Sequence, residues 1–288
     1  MAARRLPIAG AMRSVLFALV LSVAAGSVAE KEQSTPARAA ILVDLASDAV
    51  LFEKNADTPL PPASMSKLMT LDVVFEALES GRLSLDDETR VSAAAASLGG
   101  SSMFLREGEV VSIEDLLRGV IVQSGNDASV ALAEELAGTE AAFADYLNER
   151  GKAIGLETSH FENATGWPHP DHVMSARDLA RVAERLVEAF PKYYPMFAEE
   201  EFGFDGRVPA NRFNRNPLLG IGIGADGLKT GHTEEAGYGL VASAKRGNRR
   251  VVLVVTGLET AAQRKQEAER LINWAFRAFE TRRLYEAG

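Results

Sequence analysis

Three short groups of residues could carry chemistry: Ser64-Met65-Ser66-Lys67, Ser124-Gly125-Asn126 and Lys229-Thr230-Gly231. A serine hydroxyl is a poor nucleophile until a base takes its proton. Ser64 and Lys67 stand three residues apart, so a helix beginning near Ser64 stacks them on one face. A desolvated lysine near other cations has a lowered pKa and serves as that base. The helix start also sets a backbone N–H where an oxyanion would form. Ser124 offers a hydroxyl that could relay protons, and Asn126 an amide for a substrate carbonyl. Lys229 brings a cation, Thr230 a hydroxyl and Gly231 no side chain, so a peptide could lie close against a strand of that sequence. Each group alone has an ordinary explanation as a helix cap, a solvated lysine or a turn. Their order and setting carry the argument: S-x-x-K at a helix start, S-x-N at a helix break and K-T-G just before a strand.

The elements that must position them read as mixed. Residues 40–45 and 50–53 are strand-like around a polar turn at Ser47-Asp48. Leu68, Val73, Val74 and Leu78 follow Ser64 at helical spacing, and Gly81 ends that helix. Ser112 opens a second helical segment, with Asp115 near the positive end of its dipole and Gly125 as interruption. Helices are predicted over 127–137, 140–154 and 175–189. Strands are predicted over 239–244 and 251–256, with Arg246-Gly247-Asn248 as the turn. An amphipathic helix over 261–280 closes the chain, its apolar stripe packed on the sheet. Strands at both ends and helices between them give an α+β arrangement: an antiparallel sheet flanked by helices, with a helical insert carrying the S-x-N group.

The 288 residues suit one large domain or two small ones. There is no cysteine, which excludes disulfides, thiolate nucleophiles and a lipoprotein anchor. Arg4, Arg5 and Arg13 precede an apolar run too short to span a bilayer comfortably, and small residues at 27–29 offer a cleavage site. Residues 1–29 therefore read as a signal peptide, with an uncleaved anchor as the alternative. Setting them aside removes three arginines and no acid, which moves the formal charge from −9 to −12. So acidic a body, without a basic stripe, argues against nucleic acid as partner. His160, His169 and His172 show no metal-ligand spacing and read as loop residues, so no metal is assigned.

S-x-x-K, an S-x-N element and K-T-G together are the signature of penicillin-binding proteins and class A β-lactamases. The sequence resembles more specifically the D-alanyl-D-alanine carboxypeptidase family, from about residue 38 to 280. The likeness rests on residues 62–70, 100–105, 124–128, Asn163-Ala-Thr-Gly166 and 226–238. It implies a β-lactamase/transpeptidase-like fold, with residues 30–288 as the catalytic domain. It implies Ser64 as acylated nucleophile, Lys67 as its base, and Ser124 and Lys229 completing the proton network. Asn126 would bind the substrate amide, and the N–H groups of Ser64 and His232 would form the oxyanion hole. Thr230 and Gly231 would line the substrate strand, with Arg264 and Arg215 suited to a terminal carboxylate. Trp167 stands where the family more often has leucine and reads as a surface plug under the rim.

The implied partners are peptidoglycan stem peptides, with β-lactams as covalent inhibitors and no metal or organic cofactor. The implied location is extracytoplasmic, in the periplasm or peripheral on the cytoplasmic membrane. Many family members continue into a β-rich domain and an amphipathic anchor; this sequence stops at Gly288, so that domain is expected to be absent and membrane attachment stays open. Three other activities compete. A class A β-lactamase uses a glutamate to activate water, and no E-x-x-L-N stretch lies between Asn126 and Lys229. An endopeptidase on wall cross-links would use the same residues, and a penicillin sensor would keep the nucleophile without turnover.

Overall fold

Runs such as Ile41-Leu42-Val43 and Val251-Val-Leu-Val-Val255 belong to strands covered on both faces, because neither side alternates to polar residues. The computed structural model describes residues 33–280. In chain order, the hairpin β1 (Ala39–Asp44) and β2 (Ala49–Lys54) leads to a 3₁₀ turn at Ala63–Ser66 and helix α1 (Lys67–Glu79). The middle of the chain runs through β3 (Glu88–Arg90), α2 (Ala93–Ser97), β4 (Val110–Ser112), α3 (Ile113–Arg118), α4 (Asn126–Ala137), α5 (Glu140–Ala153) and α6 (Ala176–Ala189). It returns as β5 (Ala225–Thr233), β6 (Gly237–Arg246) and β7 (Arg249–Leu258), then ends in α7 (Ala261–Ala278). The signal-peptide reading falls on residues 1–29, outside the described residues.

The main sheet has the order β2-β1-β7-β6-β5, and every neighbouring pair is antiparallel. Successive side chains of β1 and β7 point to opposite faces. Leu42, Leu253 and Val255 pack with Leu271, Ile272 and Trp274 of α7 on one side. Ile41, Val252 and Val254 join the larger core around α1, α4 and α6 on the other. Serine and threonine caps start the helices as their sequence suggests: Ser112 accepts from the Asp115 N–H, Ser175 from Asp178 and Thr260 from Gln263.

Two placements differ from the sequence reading. Lys229-Thr230-Gly231 lies inside strand β5, not before a strand, paired with Val241, Leu240 and Gly239 of β6. Polar residues and glycines hide this strand in the sequence, since its stability comes from pairing with β6. Ser64 sits on the 3₁₀ turn ahead of α1, so the helix proper begins at Lys67.

Helix α1 must be fixed firmly, because it carries Lys67. The buried Asp72 accepts from Arg150 Nε at 3.2 Å and Arg185 Nε at 2.7 Å, which ties α1 to α5 and α6. Phe75 stacks on Tyr193 with ring centroids 5.2 Å apart and meets Phe190 and Phe197 edge-on at 5.7 and 6.2 Å. Truncating this fully buried ring opens a cavity where several rings converge. Phe75→Ala is expected to cost about 3–5 kcal/mol of stability, read from the midpoint of urea unfolding. A loss below about 1 kcal/mol would show that α1 is anchored elsewhere.

Candidate active site

Left-handed backbone occurs beside one serine of the candidate site and at the other. Ala63 has φ 48° immediately before Ser64, and Ser124 itself has φ 60° after a π-helical turn at Gly119–Gln123. Non-glycine residues hold such angles only where their surroundings enforce them. Here β5 and the loop after α5 close on the Ser64 turn from either side. A Cβ on Gly231 would lie 2.8 Å from the Pro62 carbonyl oxygen, and one on Gly166, at φ +75°, only 1.9 Å from that of Ala63. Both close approaches require glycine.

Lys67 is fully buried. Its Nζ stands 2.9 Å from Ser64 Oγ, 2.7 Å from Asn126 Oδ1 and 2.6 Å from the Thr165 carbonyl oxygen. Burial first, then the charge of Arg215, pulls its pKa down to about 7, against the opposing pull of Asp127 and Glu140. The neutral amine keeps two N–H groups for Asn126 and Thr165 and turns a lone pair toward the Ser64 hydroxyl. Across the cleft, Lys229 Nζ donates to Ser124 Oγ at 2.8 Å and to the Thr230 carbonyl at 3.3 Å. Burial, reinforced by Lys67, Arg215 and Arg264, holds Lys229 well below the ordinary lysine value. Asn126 also donates through Nδ2 to the Gly99 carbonyl at 2.8 Å, which fixes its amide.

The cleft has two halves that share Ser64, Ser101 and His232. One half, about 340 Å³, is lined by Ser124, Thr230, Gly231, Arg215 and Arg264. It holds concentrated positive charge in a chain of net charge −9. Arg215 donates to Ser101 Oγ, and burial lowers the pKa of both arginines. Arg264 Nε is buried with no hydrogen-bond partner among the described residues, while its guanidinium lies 5.7 Å from the Tyr238 ring centroid. Tyr238 in turn stacks on His232 at 3.9 Å. The other half, about 220 Å³, is lined by Asn126, Thr165, Trp167 and Thr233. Trp167 is 47% exposed and lies against Gly99 and Gly100, so it forms the rim of the cleft rather than a plug beneath it.

All ten sequence-predicted site residues, Ser64, Lys67, Ser124, Asn126, Arg215, Lys229, Thr230, Gly231, His232 and Arg264, thus gather around one cleft. Two positioning groups, Asp127 and Asn163, lie in segments that carry the family likeness, but the sequence assigned them no role. Asp127 accepts from the N–H groups of Met103 and Leu105 and from Ser102 Oγ, which fixes the strip that carries Ser101. Asn163 Oδ1 accepts from the N–H groups of Thr165, Gly166 and Trp167, which shapes the loop that meets Lys67.

His172 is a loop residue, as read, but a buried one with a structural partner. It is buried, its Nδ1 accepts the Glu162 N–H at 3.1 Å, and its Nε2–H donates to Ser66 Oγ at 2.7 Å. The contact joins the nucleophile's turn to the loop across 106 residues, so no spacing could reveal it. Burial lowers its pKa from 6.5 to about 4. The unfolded chain therefore binds this proton first, and stability falls as pH drops from 6.5 toward 4, by up to about 3 kcal/mol at roughly 1.4 kcal/mol per unit. His172→Gln, which retains a donor and an acceptor, is expected to flatten that part of the stability curve in urea unfolding. A slope as steep as wild type would place the titration in another group.

Comparison with known proteins agrees with this geometry. The family model described as D-alanyl-D-alanine carboxypeptidase matches residues 26–260. The chain is 43% identical over 256 residues to the D-alanyl-D-alanine carboxypeptidase DacC of Escherichia coli, covering 86% of this chain and 63% of the relative. Penicillin binding protein 6B from Escherichia coli superposes with a TM-score of 0.85 at 37% identity, covering 91% of this chain and 84% of that one. Penicillin-Binding Protein D2 from Listeria monocytogenes, in its ampicillin-bound form, gives a TM-score of 0.75 at 30% identity, covering 84% and 98%. The fold is accordingly that of the penicillin-binding proteins and DD-transpeptidases. The chain spans 66%, 63% and 61% of the length of three curated relatives it matches, from Bacillus subtilis and Escherichia coli. With the three motifs assembled in one cleft and the family model spanning most of the sequence, the chain belongs to the D-alanyl-D-alanine carboxypeptidase family.

Proposed function

We propose that the protein is a serine-type D-Ala-D-Ala carboxypeptidase that removes the terminal D-alanine from peptidoglycan stem peptides. The observation that carries this reading is the buried Lys67 amine 2.9 Å from Ser64 Oγ, beside a half-cleft holding two arginines without a carboxylate ion-pair partner among the described residues. In the proposed first step the neutral Lys67 takes the Ser64 proton, and Oγ attacks the carbonyl between the two D-alanines. The backbone N–H groups of Ser64 and His232 hold the resulting oxyanion. Ser124, polarised by Lys229, relays the proton held by Lys67 to the departing amine, so that Lys67 is neutral again as the C–N bond breaks and D-alanine leaves. Water then hydrolyses the Ser64 ester and regenerates the enzyme.

Substrate placement follows the charge of the cleft. The terminal carboxylate lies toward Arg264, Arg215 and Thr230, in the cationic half. The acyl side extends past Asn126 and Trp167, alongside the edge of β5. β-Lactams occupy the same position and acylate Ser64. No group corresponding to the E-x-x-L-N glutamate is present in the sequence, so penicillin leaves slowly. Export of the chain through residues 1–29, and action at the extracytoplasmic wall, complete the proposal. Among the described residues no helix is long and apolar enough to cross a membrane.

D-alanine release from a peptide ending in D-Ala-D-Ala, measured on protein lacking residues 1–29, is expected and is abolished by Ser64→Ala together with penicillin labelling. Stable labelling without release would indicate an endopeptidase or a sensor instead. A second outcome concerns pH. The reactive form of Lys67 is neutral, so the rate of penicillin acylation is expected to rise through pH about 7 and then level off. Below that pH the rate falls about tenfold per unit, because the neutral fraction does. A rate independent of pH between 5 and 8, roughly the span over which this group titrates, would exclude Lys67 as the base.

A further inference from the structure

The loop that carries Thr165 and Trp167 has a second face. Its ends are held by the bridge between His160 and Val173. Its inner side meets Lys67 and Ser66. Its outer side bears His160, Glu162, His169 and Asp171, none of which the acyl-transfer reading uses. Glu162 is central to them: Oε1 pairs with His160 Nε2 at 2.9 Å, while Oε2 faces His169 Nδ1 at 3.9 Å. One donor atom each from Glu162, His169 and Asp171 falls within 4.8 Å of the others.

Hydrogen bonding fixes the state of His169. The Asp171 N–H donates to Nδ1 at 3.2 Å, so that nitrogen carries a lone pair and no proton. A lone pair and a carboxylate oxygen therefore face each other with no hydrogen between them, and a second carboxylate stands beside them. Neither carboxylate has a lysine or arginine ion pair among the described residues. Three acceptors converging without a cation repel one another, and a divalent ion among them removes that repulsion. Ligands about 2.1 Å from zinc stand about 3.4 Å apart at tetrahedral angles, so the facing pair needs little closure.

We propose that Glu162 Oε2, His169 Nδ1 and an Asp171 carboxylate oxygen form a binding site for a divalent transition metal, with zinc the best fit. One nitrogen and two oxygen donors suit zinc better than soft ions. His160 donates to the other Glu162 oxygen and orients the ligating carboxylate. The Asp171 N–H gives up its contact with Nδ1 to water when the ion binds. The ion takes no part in acyl transfer. It fastens the outer side of the loop whose inner side supplies the Thr165 carbonyl to Lys67 and His172 to Ser66.

The test uses the whole protein, stripped with chelator and titrated with zinc chloride by calorimetry. One equivalent of zinc is expected to bind saturably and to raise the thermal midpoint. His169→Ala and Glu162→Gln are each expected to abolish that isotherm, and His160→Ala to weaken it about tenfold. His232→Ala, which removes the exposed histidine of the cleft, leaves it unchanged. Zinc-free His169→Ala releases D-alanine at the zinc-free wild-type rate. Absence of saturable binding overturns the proposal, as does a zinc isotherm that survives in both His169→Ala and Glu162→Gln.

Discussion

An ammonium group buried in a protein interior is costly, and the cleft is organised around that cost at Lys67. The group lies beneath Ser64, among three oxygens, and within reach of the charge of Arg215. Desolvation and like charge favour its neutral form, so a residue that is ordinarily an acid at neutral pH is poised as a base. The same burial fixes geometry. Asn126, held by Gly99, and Thr165, held by Asn163, keep the amine directed at one hydroxyl. The chemistry of Lys67 thus follows from where the fold puts it, since its residue type alone would leave it a solvated cation.

That placement draws on every layer of the molecule. The rings around Phe75 and the carboxylate of Asp72 fix α1 to its neighbours. β5 presses Gly231 on the turn from one side, and the loop presses Gly166 on it from the other. Left-handed Ala63 and Ser124 are local costs sustained by this packing, and both adjoin the groups that would react. The two lysine–serine pairs come from four separate elements, so none of them is meaningful until the sheet and the helical region have closed together.

Much of this was legible in the sequence. Helix starts with Ser or Thr caps, doubly buried apolar strands and the three motifs rest on local rules, and they led to the α+β arrangement and to seven of the cleft residues, while His232, Arg215 and Arg264 came from the family resemblance. What escaped was non-local. Strand β5 has too few apolar residues to announce itself and exists because β6 pairs with it. His172 looked like an ordinary loop residue, since its partner Ser66 is distant in the chain. Glu162, which brings His160 and His169 together, became visible as their partner only once the loop had folded back on itself. Trp167 read as a plug under the rim, whereas the contact with Gly99 and Gly100 that makes it part of the rim depends on two loops meeting.

β5 ends the main sheet, and an exposed strand edge invites another chain to add to it. Here the Pro62–Met65 backbone approaches so near that Gly231 has no room for even a methyl group. A Cβ leaves a strand from its face, so the Ser64 turn covers the face of β5 at Gly231, and any chain pairing with this edge runs beside that turn. The steric constraint that keeps position 231 a glycine therefore also sets how near the nucleophile's turn stands to the strand edge at which the sheet ends.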